Sequence, residues 1–271
     1  MGTSPKFPNH FLKIYSVAHN EQYTNRFLQK VQHLTPLSPE EEAALQSFAT
    51  TSREVNAQTE LISQGEAYRG GYILHTGWAI RAITLRNGRR QILNFVLPGD
   101  VVGLTSPFFT IANYSVTTLE PASVTEITFT RFTEIFHTQP RLGAALYWQL
   151  AQEETIISEH LVNIGRRDAY ARVGHLYAEL YWGLDTVGLV QDSTYTTPLS
   201  QNMLADALGL SFVHISRTLR RLRQDGLMQV NGSRVVIFDL AALERAVDFE
   251  HVYLHLMATP VWLRRYRSRE R

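Results

Sequence analysis

The stretch TPLSQNMLADALGLSFVHISRTLRRLRQDGL, residues 197–227, decides the fold because it contains the signals of two short helices joined by a tight turn. Ser200 can cap the start of the first helix, and Ser211 can cap the start of the second. Gly209 between them supplies the positive φ angle that a sharp helix-to-helix turn requires. The second helix ends before Gly226. This order predicts a helix-turn-helix.

The second of these helices has one apolar side and one basic side. At about 100° per residue, Ile215, Leu219 and Leu222 fall on the same face. Phe212 projects close to that apolar face. The opposite side is centred on Arg217 and also carries Val213, His214, Arg220 and Arg221. We therefore expect the basic side to reach phosphates and base edges in a DNA major groove.

The segment after this helix and the charge distribution agree with a nucleic-acid partner. Asn231-Gly232 separates Leu227–Val230 from Arg234–Phe238, a spacing that predicts a hairpin, or wing, beside the helix-turn-helix. Residues 196–271 hold 11 arginines and 7 acidic residues, a net charge of +4, whereas residues 1–195 have a net charge of −3. Such an asymmetry favours a polyanion as partner of the basic half.

The sequence between Arg53 and Thr130 has the texture of a β domain. Tyr72–Ile80 is interpreted as a strand pair broken by a glycine turn. Asn87-Gly88 lies between Ala82–Leu85 and Gln91–Val96, which is a strong hairpin signal. Short strands with glycine turns predict a small antiparallel barrel or jelly roll.

A long helix follows this domain. Its apolar residues recur at steps of three, four or seven, as in a helix that pairs with a second copy. The predicted dimer interface consists of Leu146, Leu150, Ile157, Leu161 and Ile164. The alternative is a helix that lies on its own barrel. Gly165-Arg166-Arg167 ends the pattern, and Asp168 can cap the next helix.

Several classes of site and location are excluded or disfavoured by composition. The chain has no cysteine, which excludes disulfides, thiolate zinc sites and cysteine-ligated iron–sulfur clusters. No apolar run approaches the roughly 20 residues that span a bilayer. Residues 1–10 lack the pattern of a secretory signal. We therefore expect a cytoplasmic protein with no membrane partner.

From about Pro36 to Leu254 the chain resembles the CRP/FNR family, the cyclic-AMP receptor protein and its relatives. The resemblance rests on Gly65-Glu66, Ile73–Trp78, Gly88–Asp100, Gly165-Arg166-Arg167, Arg172 and Leu199–Leu227. It implies an α+β chain with an N-terminal cyclic-nucleotide-binding-type β-roll (jelly roll), a long dimer helix and a C-terminal winged helix-turn-helix.

The resemblance also implies a domain plan and partners. We expect an N-terminal extension over residues 1–35, a sensor β-roll over 36–136, a dimerisation helix and hinge over 137–167, and a DNA-binding domain over 168–271. The implied partners are double-stranded DNA, a second copy of the chain and RNA polymerase. The implied function is sequence-specific transcription regulation by a homodimer.

Family roles can be carried over to individual positions of the helix-turn-helix. Arg217 matches an arginine that reads guanine, and Arg220 matches a basic contact to the DNA backbone. Val213 stands where many relatives have a glutamate that accepts from cytosine, so the half-site is expected to differ. Phe212 matches a base-contact position, in conflict with its projection near the apolar face. The full set of candidate DNA contacts is Ser200, Asn202, Ser211, Phe212, Val213, His214, Arg217, Arg220 and Arg221.

The sensor half departs from relatives that bind cyclic AMP. Their phosphate-binding cassette begins Gly-Glu and ends Arg-Ser-Ala. Here it is interpreted as beginning at Gly99-Asp100 and ending around Ser115, and no arginine occurs between Arg90 and Arg131. Gly99, Asp100 and Ser115 remain the candidate effector pocket. A phosphate without its arginine partner is costly to bury, so control by cyclic AMP is not expected. No cofactor is assigned.

Three alternatives remain open at this stage. The first is a sensor gated by haem or by another, unidentified small-molecule effector in the β-roll. The second is an enzyme of cupin type, which needs several histidines in its barrel, whereas His75 is the only one between Arg53 and Thr130. The third is a ligand-binding or scaffold protein with a silent DNA domain, against which the arginine face argues. We expect neither catalytic residues nor a metal site.

Overall fold

The computed structural model describes residues 26–32, 37–49 and 52–254. Most of the predicted N-terminal extension, residues 1–35, lies outside the described residues, and so do residues 255–271. Within the extension, residues 26–32 form a helical segment, here called α1.

The first half of the chain forms two four-stranded antiparallel sheets. One sheet has the strand order β1-β8-β3-β6 and the other has the order β2-β7-β4-β5. The strands are β1 (Arg53–Val55), β2 (Glu60–Ile62), β3 (Gly70–Thr76), β4 (Ala79–Thr84), β5 (Arg90–Val96), β6 (Val101–Val102), β7 (Ser115–Thr118) and β8 (Ala122–Thr128). The predicted jelly roll is confirmed.

Two glycine turns show how local sequence shapes this roll. At Asn87-Gly88, Gly88 has a φ of +79° and the Leu85 amide donates to the Arg89 carbonyl at 2.8 Å, as the hairpin signal predicts. At Gly77 the expected strand pair is wrong, because β3 pairs with β6 and β8 whereas β4 pairs with β5 and β7. Gly77 connects the two sheets instead, and a Cβ there would lie 2.8 Å from the Pro121 carbonyl.

Helices flank the roll and build most of the second half of the chain. Those around the roll are α2 (Pro39–Ala49), α3 (Phe129–Thr138) and α4 (Pro140–Arg166). The C-terminal part contains α5 (Ala169–Asp185), α6 (Gln201–Leu208), α7 (Phe212–Gln224), α8 (Leu240–Val247) and a 3-10 turn over His251–Leu254. A three-stranded sheet of order β10-β11-β9 joins β9 (Thr194–Thr196), β10 (Met228–Asn231) and β11 (Arg234–Ile237).

The hydrophobic core crosses the boundary between the two halves. Trp78 and Phe95 from the β4–β5 side of the roll belong to the same buried cluster as Leu176, Leu204 and Ile215 of the C-terminal part. A second cluster fixes α1, α2, α3 and α4 against the other sheet. The recognition elements therefore rest on a continuous core that begins in the roll.

In the part of the chain that the structure describes, no helix is both long enough and apolar enough to span a membrane.

Candidate nucleic-acid interface

The two helices of the helix-turn-helix begin and end at the residues that the sequence predicts. The Ser200 side chain accepts from the Met203 amide at 3.2 Å at the start of α6. Gly209 has φ +63° and ψ 34° and ends that helix in the left-handed conformation. Ser211 accepts from the His214 amide at 3.3 Å at the start of α7. Local capping and a single glycine thus set the geometry of the turn.

The apolar side of α7 anchors the helix in the core. Ile215 and Leu222 are fully buried, and Thr218 is 7% exposed between them. Leu219 packs against the same core cluster. The predicted buried face is confirmed, and α7 is held rigidly enough to present its other side.

The opposite side of α7 faces solvent. Phe212 and Val213 are 53% and 55% exposed, and Ser211, His214, Arg217, Arg220 and Arg221 are exposed as well. The helical projection places Phe212 close to the apolar face, but in the structure its side chain is exposed. The reason is that Phe212 is the first residue of α7 and lies before the part of the helix that packs against the core. Ser200 and Asn202 at the start of α6 are also exposed.

The arginines of α7 differ in their partners. Among the described residues, Arg217 and Arg220 form no ion pair. Arg221 instead lies 4.6 Å from the centroid of the Tyr170 ring, and its Nε is 3.8 Å from Asp225 Oδ2. The Tyr170 hydroxyl donates to Asp225 at 2.7 Å; burial and then this hydrogen bond raise the pKa of Tyr170 to about 12. Arg221 thus connects α7 to the start of α5, a role that its spacing alone does not reveal.

The predicted wing is present and has an additional strand. β10 and β11 pair with Asn231 opposite Arg234, and Gly232 at the turn has a φ of +57°. β9 pairs with the other edge of β11, which the sequence analysis does not predict. β9 has only three residues, too few to show the alternation of polar and apolar residues that reveals a strand in the sequence.

The three candidate effector residues do not converge on one cavity. Asp100 accepts from Lys30 Nζ at 2.5 Å and from the Leu97 amide at 2.7 Å, so it closes the turn before β6. It lines a cavity of about 90 Å³ between β5, α4 and α5, whose lining includes neither Gly99 nor Ser115. Ser115 lies on the second sheet and donates to the Ala82 carbonyl at 3.4 Å.

A buried arginine that the sequence analysis missed lies beside this region. Arg81 on β4 is 7% exposed, pairs in register with Val116 of β7, and forms an ion pair with Glu153 of α4. Its guanidinium also lies 4.8 Å from the centroid of the Tyr114 ring. Burial raises the pKa of Glu153, and the Arg81 charge opposes that rise. The only signal in the sequence is one charged residue inside the apolar run AIRAIT.

His75, the residue considered for haem, is fully buried on β3. Its Nε2 lies 2.7 Å from Thr125 Oγ1 of the neighbouring strand, and it is not part of the lining of the cavity between β5, α4 and α5. Over residues 26–32, 37–49 and 52–254, no three metal-binding side chains lie together. The geometry therefore gives His75 a place in the sheet interior.

A half-buried histidine joins the two halves of the molecule. His160 of α4 lies with Nδ1 2.8 Å from the Leu93 carbonyl of β5 and with Nε2 2.8 Å from Glu179 of α5. Tyr253 donates to the same Glu179 carboxylate at 2.6 Å. Burial lowers the pKa of His160, but Glu179 and the Leu93 carbonyl outweigh it, so the pKa is raised overall. This clamp connects the roll, α4, α5 and the C-terminal 3-10 turn.

The predicted dimer residues of α4 are divided between opposite sides of the helix. Leu146 is 3% exposed in the core of its own protomer, so it is not available to a second copy. Ile164 lines a crevice with Leu93 and Leu208, whereas Leu161 is 73% exposed. Val162 and Arg166 are exposed as well, and six further exposed positions recur at steps of four and three: Tyr147, Ala151, Glu154, Ser158, Leu161 and Gly165. We call these six residues the α4 stripe.

Comparison with known proteins agrees with both halves of the fold. Residues 52–139 match the model of the cyclic nucleotide-binding domain, and residues 171–246 match that of the Crp-like helix-turn-helix domain. The chain is 26% identical over 201 residues to transcriptional activator protein FnrA of Stutzerimonas stutzeri, covering 74% of this chain and 82% of that one. It is 29% identical over 190 residues to nitrogen fixation regulation protein FixK of Azorhizobium caulinodans, covering 69% and 75%.

A solved structure gives the same result in three dimensions. FixK2 from Bradyrhizobium japonicum superimposes with a TM-score of 0.64 at 25% identity, covering 72% of this chain and 96% of FixK2. The two matched domains, their order in the chain and the capped helix-turn-helix lead to one assignment. This chain belongs to the CRP/FNR family of transcription regulators, with a cyclic-nucleotide-binding-type domain followed by a helix-turn-helix DNA-binding domain.

Proposed function

We propose that this protein regulates transcription as a homodimer that binds a specific two-fold DNA site through α7, without control by cyclic AMP or an iron–sulfur cluster. One observation carries the proposal: α7 is buried on one side, and on the other it presents Arg217 and Arg220, which form no ion pair with any described residue. A free guanidinium on a rigid helix is suited to bidentate contact with a guanine edge or a phosphate.

Each exposed residue has a role that follows from its chemistry. Arg217 reads a guanine, and Val213 contacts a thymine methyl group, since its side chain accepts no hydrogen bond. Phe212 and His214 lie beside them at the base edges. The phosphate-contacting residues are Ser200, Asn202, Ser211, Arg220 and Arg221. Arg221 makes its contact from the Tyr170 stack, so it contributes less to binding than Arg220.

The α4 stripe is the surface on which we place the second copy. Its spacing of four and three is that of the a and d positions of a coiled coil. Ala151, Ser158 and Gly165 recur every seven residues and allow the two helices to approach closely. Leu161 at 73% exposed and Tyr147 at 69% exposed supply the apolar contacts. This surface replaces the predicted seam through Leu146.

The two-fold symmetry of such a dimer determines the spacing of the half-sites in its DNA site, and the relatives suggest a further partner. Two α7 helices related by a two-fold axis read half-sites about one helical turn, roughly 34–36 Å, apart. The relatives FnrA and FixK bear the names of a transcriptional activator and a nitrogen fixation regulator. By analogy we propose RNA polymerase as partner of the DNA-bound dimer and the cytoplasm as its location.

The sensor half supports activity without a nucleotide effector. Arg81 pairs in register with Val116, the residue after Ser115, and forms an ion pair with Glu153. The adjacent cavity of about 90 Å³ is much smaller than the roughly 300–1,000 Å³ of typical ligand pockets. The Arg81–Glu153 pair therefore connects the roll to α4 without a ligand.

The test is a selection of binding sequences from random duplex DNA by the purified protein with no added metabolite. We expect a recurrent two-fold motif whose half-site differs from the commonest family sequence at the position read by Val213. Enrichment of no motif, or enrichment only after cyclic AMP is added, would contradict the proposal. Calorimetry with cyclic AMP gives an independent check, because micromolar binding would contradict the effector statement alone.

A further inference from the structure

We propose that the β4–β5 hairpin of the sensor roll is a second DNA contact, in which Arg86 and Arg89 bind backbone phosphates that flank the half-site read by α7. The inference rests on the proposed function, since it presumes that α7 lies in the major groove. It concerns a different domain from the one that the family comparison assigns to DNA.

The hairpin is fixed directly against the helix-turn-helix. Arg90 contacts Asp206 Oδ2 through Nε at 3.1 Å and Nη2 at 2.8 Å. Gln91 donates to the Ala207 carbonyl at 3.0 Å. Both partners belong to α6, the first helix of the motif. The hairpin tip therefore has a defined position relative to α7.

Between the hairpin and the motif runs an open groove of about 780 Å³. Its lining includes Arg89 and Arg90 on one wall, and Asp206, Gly209 and Ser211 on the other. Ser211 is the capping residue of α7 and a proposed phosphate contact. The groove thus continues the proposed DNA surface from α7 to the roll.

The groove and the hairpin turn beside it carry positive charge that no described acidic residue neutralises. Arg90 neutralises Asp206, the acidic residue of the lining. Arg86 and Arg89 are exposed and form no ion pair with any described residue. Arg89 lines the groove together with Ser211, and Arg86 lies at the same hairpin turn, three residues earlier. Their guanidinium groups fit the backbone of a polyanion that passes from the start of α7 over the hairpin.

The turn that carries these arginines is ordered by its own hydrogen bonds. The Arg89 amide donates to Asn87 Oδ1 at 3.1 Å, and the Gly88 amide donates to the Leu85 carbonyl at 2.9 Å. A preorganised turn loses little conformational entropy when its side chains meet phosphates.

Duplex DNA suits this surface better than a free anion does. The groove is open and lacks the buried, converging donors that hold a small phosphate. A duplex that occupies α7 already brings a line of phosphates past Ser211, so the hairpin needs no separate binding event. An acidic protein surface is the competing partner that the experiment must exclude.

The experiment measures binding of the full chain to the selected duplex, with about one helical turn of flanking DNA on each side, as a function of salt. The double variant Arg86→Gln/Arg89→Gln should reduce the slope of log affinity against log salt by about 0.9 for each lost phosphate contact, while the preferred sequence stays the same. The matched control is Arg53→Gln/Arg69→Gln, which removes one exposed arginine on β1 and one directly before β3 and should keep the wild-type slope.

A trimmed duplex that ends at the half-sites provides the second readout. On this duplex the wild type and the Arg86→Gln/Arg89→Gln variant should have equal slopes. An unchanged slope on the long duplex, or a difference that persists on the trimmed one, would overturn the inference. Loss of transcription with polymerase at an unchanged slope would also overturn it, in favour of a protein partner. Each of these outcomes leaves the proposed function intact if the wild type still selects a DNA motif.

Discussion

Among individual residues, Arg217 has the most specific task in the proposed complex. It is exposed on α7, and among the described residues it has no ion-pair partner. Replacement Arg217→Ala should reduce affinity for the selected duplex by roughly 1–3 kcal/mol and relax specificity at one base pair. Competition gel shifts over all four bases at each position provide the measurement.

The control for this prediction is Arg223→Ala, which removes an exposed arginine further along α7. We expect a smaller loss that is shared by all sequences. An equal loss on every duplex in Arg217→Ala would show that Arg217 binds a phosphate and does not read a base.

Arg81 and Glu153 are a pair in which each residue depends on the other. Removing one partner of a buried ion pair leaves an uncompensated charge and costs about 3–5 kcal/mol. We therefore expect Glu153→Gln to lower the free energy of unfolding strongly, whereas Arg81→Met/Glu153→Leu should lie much closer to wild type. Urea unfolding of both variants is the measurement. A double variant as unstable as the single one would contradict this description.

The same residues show what sequence can and cannot predict at this scale. Caps such as Ser200 and Ser211, and the left-handed Gly209, act within a few residues, so local sequence is sufficient. The ion pair of Arg81 with Glu153 spans 72 positions and depends on how the roll packs against α4. No local pattern encodes such a contact.

Among the elements, α4 carries the surface that we propose for the association of two copies of the chain. Leu161→Glu places a charge at an exposed position of the α4 stripe and should shift the protein from dimer to monomer in sedimentation equilibrium. Leu85→Glu is the matched control, because Leu85 is a 54% exposed leucine of the roll outside the stripe. A dimer that persists in Leu161→Glu would contradict the placement of the interface.

In α4, sequence periodicity predicts the helix but not the residues that remain free for a partner. The sequence predicts a long helix with apolar residues in heptad steps, and α4 spans 27 residues. Periodicity does not say which apolar residues the protomer itself buries, and Leu146 belongs to the core of the roll. The surface available to a partner is consequently rotated around the helix and shares only Leu161 with the expected seam.

The contact between α4 and α5 makes stability depend on pH. The pKa of His160 is raised in the folded protein, so its protonated form stabilises the fold below about pH 6.5, and this contribution is lost as the pH rises through the folded pKa. His175 acts in the opposite sense at lower pH, since burial lowers its pKa to about 4. The pKa of Glu179 is lowered as well, which stabilises the fold above that pKa.

Above pH 6.5 we therefore expect the free energy of unfolding to fall as the pH rises. Replacement His160→Gln and replacement Glu179→Gln should each flatten that dependence, because each removes one partner of the clamp. Charged groups around the clamp include Glu159 and Arg167, which contact each other at 2.6 Å. Urea unfolding at several pH values is the measurement, and a wild-type slope retained in His160→Gln would contradict the assignment.

On the scale of the whole molecule, one core connects the roll to the C-terminal part of the chain. Trp78 of the roll and Leu204 of α6 lie in the same buried cluster, and Arg90 and His160 add polar contacts across the boundary. Sequence predicts the order of the two domains because each has its own period and turn residues. It does not predict their mutual packing, which depends on surface shape and on contacts between distant residues.

The proposed dimer recognises DNA specifically only when both of its α7 helices reach their half-sites on the same side of the duplex. The measurement is the affinity of the wild-type protein for two duplexes. One is the selected duplex, and the other carries about five extra base pairs between the half-sites, which corresponds to half a helical turn. We expect a loss of at least about 100-fold, toward non-specific affinity, because the second α7 then faces the wrong side of the DNA. Equal affinity for the two duplexes would contradict the proposed two-fold dimer.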